Sequence, residues 1–238
     1  MPILNICLHN IVEDDTSIQT IYDVTVAQLE HIITICESIA NEKKLDGVVY
    51  YFDDGYDSFK TIVAKNDWGI QQKRLVPAII TDLIGAEGRL SRDDIIKLYE
   101  QGYKPVPHGV SHASLAAFDD NDTLQPTHAG GTYQNVFIGK TKSLSDQEVL
   151  FQLVESRKAL LSFLPNLIIN EFVLPYGIYN QSTSAVAKQA HYKKILTCDT
   201  GLDDGQFLAP RHLITQENIS SLEADITNAL THFSLLFS

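Results

Sequence analysis

Short apolar runs alternate along the chain with segments of helical period, the pattern of a parallel sheet or barrel with crossover helices. Seven runs read as strands: Ile3–Leu8, Val48–Phe52, Leu75–Ile80, Tyr103–Val106, Glu171–Leu174, Lys194–Cys198 and Phe207–Leu213. Between Val26 and Ile39, apolar residues recur at Leu29, Ile32, Ile33 and Cys36, which places one stripe of a helix against the sheet. Ser91 with Asp94 and Ser145 with Glu148 are capping-box pairs that open two further helices. Gly102 stops the first, and the second runs to about Leu164. Glu217 to His232 reads as a closing amphipathic helix. Phe118–Lys142, rich in Asp, Thr and Gly, fits no element. A loop of that length is either a surface insertion or a substrate lid, and the sequence favours neither.

Composition narrows this to one α/β domain spanning residues 1–238: at 44% hydrophobic, the chain has enough apolar side chains for one large core. The formal charge of −12 argues against nucleic acid as a partner. Cys7, Cys36 and Cys198 are odd in number and widely spaced, so neither a disulfide framework nor a paired-cysteine zinc site can be read from them. The first residues carry no basic region and no long apolar stretch, and no run is long enough to span a membrane. A cytoplasmic location is the expectation.

Chemistry concentrates at the ends of the expected strands. Val48–Phe52 runs into Asp53-Asp54-Gly55, and in parallel sheets and barrels strand C-termini are where functional groups gather. Adjacent side chains on a strand diverge unless the chain turns, which Gly55 permits. Two carboxylates held close ionise together cheaply only with a cation between them. An ordinary Asp-Gly turn explains this segment equally well.

His108 and His112, four apart with Gly109 between them, follow another strand end and can reach one metal from a single turn of chain. Such a pair alone is weak evidence. Combined with a carboxylate it makes a facial site with open positions for water and substrate. Pro175-Tyr176-Gly177 is by itself a turn; beside a metal, its backbone N–H groups could stabilise an oxyanion.

These segments together resemble the polysaccharide deacetylases, carbohydrate esterase family four. Phe52-Asp53-Asp54-Gly55 matches the first motif, His108-x-x-x-His112 the second, and Pro175-Tyr176 part of the third. The opening Cys7-Leu8-His9-Asn10 and the run Tyr22-Asp23-Val24-Thr25 are similar to the poly-N-acetylglucosamine deacetylase subgroup, as is Gly55-Tyr56-Asp57-Ser58. The resemblance implies a distorted seven-stranded β/α barrel. It also implies one divalent metal ion, Zn²⁺ before Co²⁺ or Ni²⁺, held by Asp54, His108 and His112. Asp53 would be the general base, the Tyr176 N–H an oxyanion donor, and an N-acylated sugar the substrate.

The chain departs from the pattern in two places. Val173 stands where the third motif has Arg, and the late Leu-x-His source of the general acid is not evident. Arg211 could supply the missing charge from another strand, or be an ordinary surface arginine. His212, His232 and His9 are candidates for the acid. A member that binds glycan or metal without efficient turnover is therefore the rival reading. A non-haem iron oxygenase shares the ligand set but has no need of Asp53.

Overall fold

Residues 3–8 and 47–52 are buried along nearly their whole length, as strands packed on both faces must be. The computed structural model of the protein describes residues 2–64, 69–116 and 144–236, with side chains to position 230 apart from residue 73. In chain order the elements are β1 (Ile3–Leu8), β2 (Ile11–Val12), β3 (Val24–Thr25), α1 (Val26–Glu42), β4 (Gly47–Phe52) and α2 (Phe59–Ala64). Then come β5 (Leu75–Ile79), α3 (Arg92–Glu100), β6 (Val106–Pro107), α4 (Asp146–Leu161), β7 (Glu171–Val173) and α5 (Gln181–Gln189). β8 (Lys194–Leu196), β9 (Leu208–Ala209), β10 (His212–Leu213) and α6 (Leu222–Leu236) complete the described chain. The expected loop at Phe118–Lys142 and the side chain of His232 lie outside the described residues.

The helices begin where their caps require. Thr25 with Gln28, Ser91 with Asp94, and Ser145 with Glu148 all form reciprocal capping boxes. Asn180 with Thr183 does the same for α5, a helix the sequence pattern did not reveal. The α1 stripe of Leu29, Ile32, Ile33, Cys36 and Ile39 is buried in the main core with Leu4, Ile6 and Leu8 of β1. Each such fully buried aliphatic side chain contributes about 1.5–3 kcal/mol.

All strand pairs are parallel, but the described strands do not join into one seven-stranded sheet. One sheet has the order β10-β1-β4-β5-β6 and a second the order β7-β8-β9, with β2 and β3 a separate pair. Tyr51, Val76, Ala78, Val106, Val173, Leu196 and Ala209, drawn from both larger sheets, form one shared apolar layer. The sheets thus face a common interior without a continuous ladder among the described residues.

Proline accounts for both seams. The His108 N–H donates to Ile79 O, towards β5, so by alternation the donors at positions 105 and 107 would point the other way, towards β7. Both positions are proline and have none. Of the expected strand Tyr103–Val106 only Val106 is paired, and the observed strand is Val106–Pro107. The expected strand Phe207–Leu213 is divided at Pro210: Leu208–Ala209 pairs with β8, and His212–Leu213 with β1. Asn5 Nδ2 donates to the Pro210 carbonyl at 3.1 Å, tying the break to β1.

Candidate metal centre and active site

The carboxyl ends of β1, β4, β6, β7 and β8 surround one cavity of about 110 Å³, lined among others by Cys7, His9, Tyr22, Asp53, Asp54, His108, His112, Tyr176 and Cys198. That volume holds a few waters or a short acyl group.

A sharp turn after β4 aims both acids inward. Asp54 has φ +69° and ψ −5°, and Gly55 follows at φ +67°. A left-handed residue at Asp54 cancels the alternation that would otherwise separate the two carboxylates. Arg89 braces this turn by donating to Asp54 O at 3.0 Å while its guanidinium lies over the Tyr56 ring. Nothing in the sequence marks that role.

Asp54 Oδ1 is buried and accepts no hydrogen bond. Two imidazole nitrogens stand beside it: His108 Nε2 at 3.4 Å and His112 Nε2 at 3.3 Å. His108 Nδ1 donates to Val173 O at 2.9 Å, which leaves Nε2 as the free lone pair. One ligand atom from each of Asp54, His108 and His112 lies within 4.8 Å of the others. An orphaned carboxylate oxygen facing two imidazoles fits a divalent cation, and the donor set suits zinc or a neighbouring transition metal.

The loop carrying the histidines is held by a residue the sequence did not single out. Gln152, on the buried face of α4, accepts through Oε1 from the N–H groups of Val110 (2.8 Å) and Ser111 (3.2 Å). Its Nε2 donates to Ser111 Oγ at 3.0 Å. The loop needs the clamp because His112 has φ +59°, a left-handed conformation that costs a non-glycine residue free energy.

Arg211 is fully buried, not on the surface, and its Nη1 donates to Asp53 Oδ1 at 2.7 Å and Oδ2 at 3.0 Å. Its Nε donates to Thr197 O. A guanidinium thus reaches Asp53 from the β9–β10 break, while Val173 brings no charge. Burial works against an ionised Asp53, but Arg211, with help from His108 and His9, holds its carboxyl below the usual range. Asp54 is likewise held low: burial opposes ionisation, and His108, His9 and His112 outweigh it. Burial and the neighbouring His108 bring the pKa of His112 down to about 4.

His212 does not join the site. Arg211 and Leu213 face inward, so alternation sends His212 the other way, where its Nε2 meets Gly201 O at 3.1 Å. As a general-acid candidate it is replaced by His9. His9 follows β1, lines the cavity, and packs its ring against that of Tyr22, tilted by 43° at 4.8 Å between centroids.

Pro175 and Tyr176 form the turn after β7. Tyr176 has φ +58°, and its ring packs 4.6 Å from that of His112. Gly177 must be glycine: at φ +64°, a Cβ would stand 2.5 Å from Cys198 N and 2.6 Å from its Sγ. Cys7, Tyr22 and Cys198 complete the wall.

No family model matches the sequence, and no curated protein does so significantly. Solved structures match closely in shape. A de-N-acetylase from Aggregatibacter actinomycetemcomitans is 14% identical at TM-score 0.72, over 94% of this chain and 100% of that one. The deacetylase PplD of Streptococcus pyogenes is 17% identical at TM-score 0.65, over 95% and 98%. IcaB from Ammonifex degensii is 16% identical at TM-score 0.61, over 94% and 97%. No described helix is long and apolar enough to cross a membrane. In a single α/β arrangement around a parallel sheet, with its cavity at the strand ends, the chain has the fold of the polysaccharide deacetylases.

Proposed function

We propose that the protein is a metal-dependent hydrolase that removes an N-acetyl or similarly short acyl group from an amino sugar within an oligo- or polysaccharide. One observation carries the reading. Asp54 Oδ1 sits buried and unbonded between His108 and His112, beside a second carboxylate that Arg211 keeps ionised. The similarity to deacetylases supplies the substrate class.

Asp54, His108 and His112 would hold the metal, Zn²⁺ before Co²⁺ or Ni²⁺. When bound, the ion supplies Lewis acidity to the acyl oxygen and lowers the pKa of a water. Asp53, buried and anionic, accepts the proton of the attacking water. Arg211 orients Asp53 and keeps it from protonating at neutral pH. The Tyr176 backbone N–H, aimed by the left-handed turn, donates to the developing oxyanion. His9, across the cavity, delivers a proton to the amine as it leaves, a step an amide requires because an amide anion leaves very poorly. Arg211 and His9 answer the two departures that favoured an inactive relative, and turnover is the better-supported reading. We take the whole chain as one catalytic domain.

Acetate release from N-acetylated amino-sugar oligosaccharides, measured with metal content, tests this. Wild type binds one tight equivalent and turns over. Asp54→Ala and His108→Ala lose the metal; Asp53→Asn keeps it and loses activity by about 10²–10⁴-fold. Stoichiometric metal in both ligand variants, or unchanged turnover in Asp53→Asn, overturns the proposal.

A further inference from the structure

Behind Asp53 lies a second group of side chains that the hydrolytic scheme does not use together. Cys7, His9 and Asp53 each offer one ligand atom, all within 4.8 Å of one another. We propose that these three form a second cation site, selective for thiophilic divalent metals and weaker than the first, whose filling inhibits the enzyme. The inhibitory part rests on the hydrolase reading; the binding part does not.

Strand geometry brings the three together. β1 and β4 are paired in register, Cys7 with Tyr51 and Leu8 with Phe52. The next residues, His9 and Asp53, therefore leave neighbouring strands side by side. Cys7 and His9 are two apart, so both face the cavity. Cys7 Sγ is already 3.4 Å from Asp53 Oδ2. Metal–ligand bonds of about 2.0–2.3 Å put tetrahedral ligands roughly 3.3–3.8 Å apart, so this pair already has the spacing of two ligands of one ion.

An independent sign is the imidazole. His9 Nδ1 is buried and has no hydrogen-bond partner, and its only ring contact among those described is with Tyr22. A buried ring nitrogen left in this way is costly unless something occupies it. Sulfur distinguishes the two sites. The first triad is imidazole and carboxylate only, whereas a Cys7 thiolate selects zinc and other soft ions over Mg²⁺, Ca²⁺ or Mn²⁺.

Arg211 ranks the sites. Its guanidinium already binds both Asp53 oxygens and repels a cation placed beside them, so the second ion enters only after the first site is full. Once there, it occupies both the Asp53 carboxylate and the His9 imidazole, and turnover stops.

Titration of the metal-free protein with Co²⁺ tests the binding. The first equivalent should give visible d–d bands alone, and excess Co²⁺ should add a near-ultraviolet thiolate-to-cobalt band. Cys7→Ser should abolish the second band and keep the first; Cys198→Ser should keep both. In wild type loaded with excess Zn²⁺, X-ray absorption should show a sulfur scatterer at about 2.3 Å, a readout that needs no variant. Activity at ten equivalents of Zn²⁺ relative to one should fall at least several-fold in wild type and be restored towards unity in Cys7→Ser. A missing sulfur signal at excess metal, or a charge-transfer band that survives Cys7→Ser, overturns the site. Because the spectra do not depend on turnover, an inactive protein would still reveal the second ion, and an active one without it would leave the hydrolase assignment standing.

Discussion

Arg211 reaches across 158 positions of sequence to place one guanidinium nitrogen on both oxygens of Asp53, at 2.7 and 3.0 Å. Both groups are buried, so each is the other's main compensation for lost water.

Removing the arginine therefore leaves a charge stranded. Arg211→Ala should cost about 3–5 kcal/mol at neutral pH. The sign with pH follows from the depressed Asp53 carboxyl. Its contribution is complete above the unfolded carboxylate pKa of about 4 and is lost as pH falls through the lower folded value. Denaturant unfolding should show the deficit of the variant flat from pH 7 to about pH 4 and shrinking below that. A deficit that does not change with pH would mean the pair is not the source.

Gln152 touches no ligand atom of the triad, yet clamps the loop between His108 and His112 through Val110 and Ser111. Gln152→Leu keeps the volume and loses the clamp. Metal affinity should drop by about 10–100-fold, the usual effect of losing support behind a ligand. Competition with a chromophoric chelator would measure it; wild-type affinity would remove Gln152 from the account.

His9, if it donates the proton, sets an alkaline limb on kcat/KM. Burial lowers its pKa, against the opposing pull of Asp53 and Asp54, so the protonated form declines as pH rises through that value. His9→Gln should lower kcat by about 10²–10⁴-fold and flatten the limb. A limb that persists unchanged in the variant assigns the acid elsewhere.

Gly177 packs against Cys198 with no room for a methyl group. Gly177→Ala combines that overlap with a left-handed backbone and should cost at least about 2 kcal/mol. For a chain of this size that is a fall in Tm of roughly 4–8 °C. Calorimetry showing no change would indicate that the turn after β7 relaxes freely.

Asp53, Asp54, His108 and His112 could be found in the sequence because each pair is local: the acids are adjacent, the histidines one turn apart, and both follow apolar strands. Capping boxes at Thr25, Ser91 and Ser145 are local too, and the helices start there. What failed to show was set by proline at a distance. Pro105 and Pro107 lack donors on the side facing β7, and Pro210 divides a strand that its apolar pattern draws as one.

By itself, then, the sequence determined the parallel α/β character, the starts of α1, α3 and α4 and the four residues of the paired motifs, because spacing along a strand or turn is a property of neighbours. Tertiary structure alone decided that Arg211 serves Asp53, that His9 faces the cavity while His212 turns away, and that Gln152 holds the histidine loop. Those pairings join positions 41 to 158 residues apart. They depend on strand register and on which side of the sheet a residue faces, and a one-residue shift inverts that.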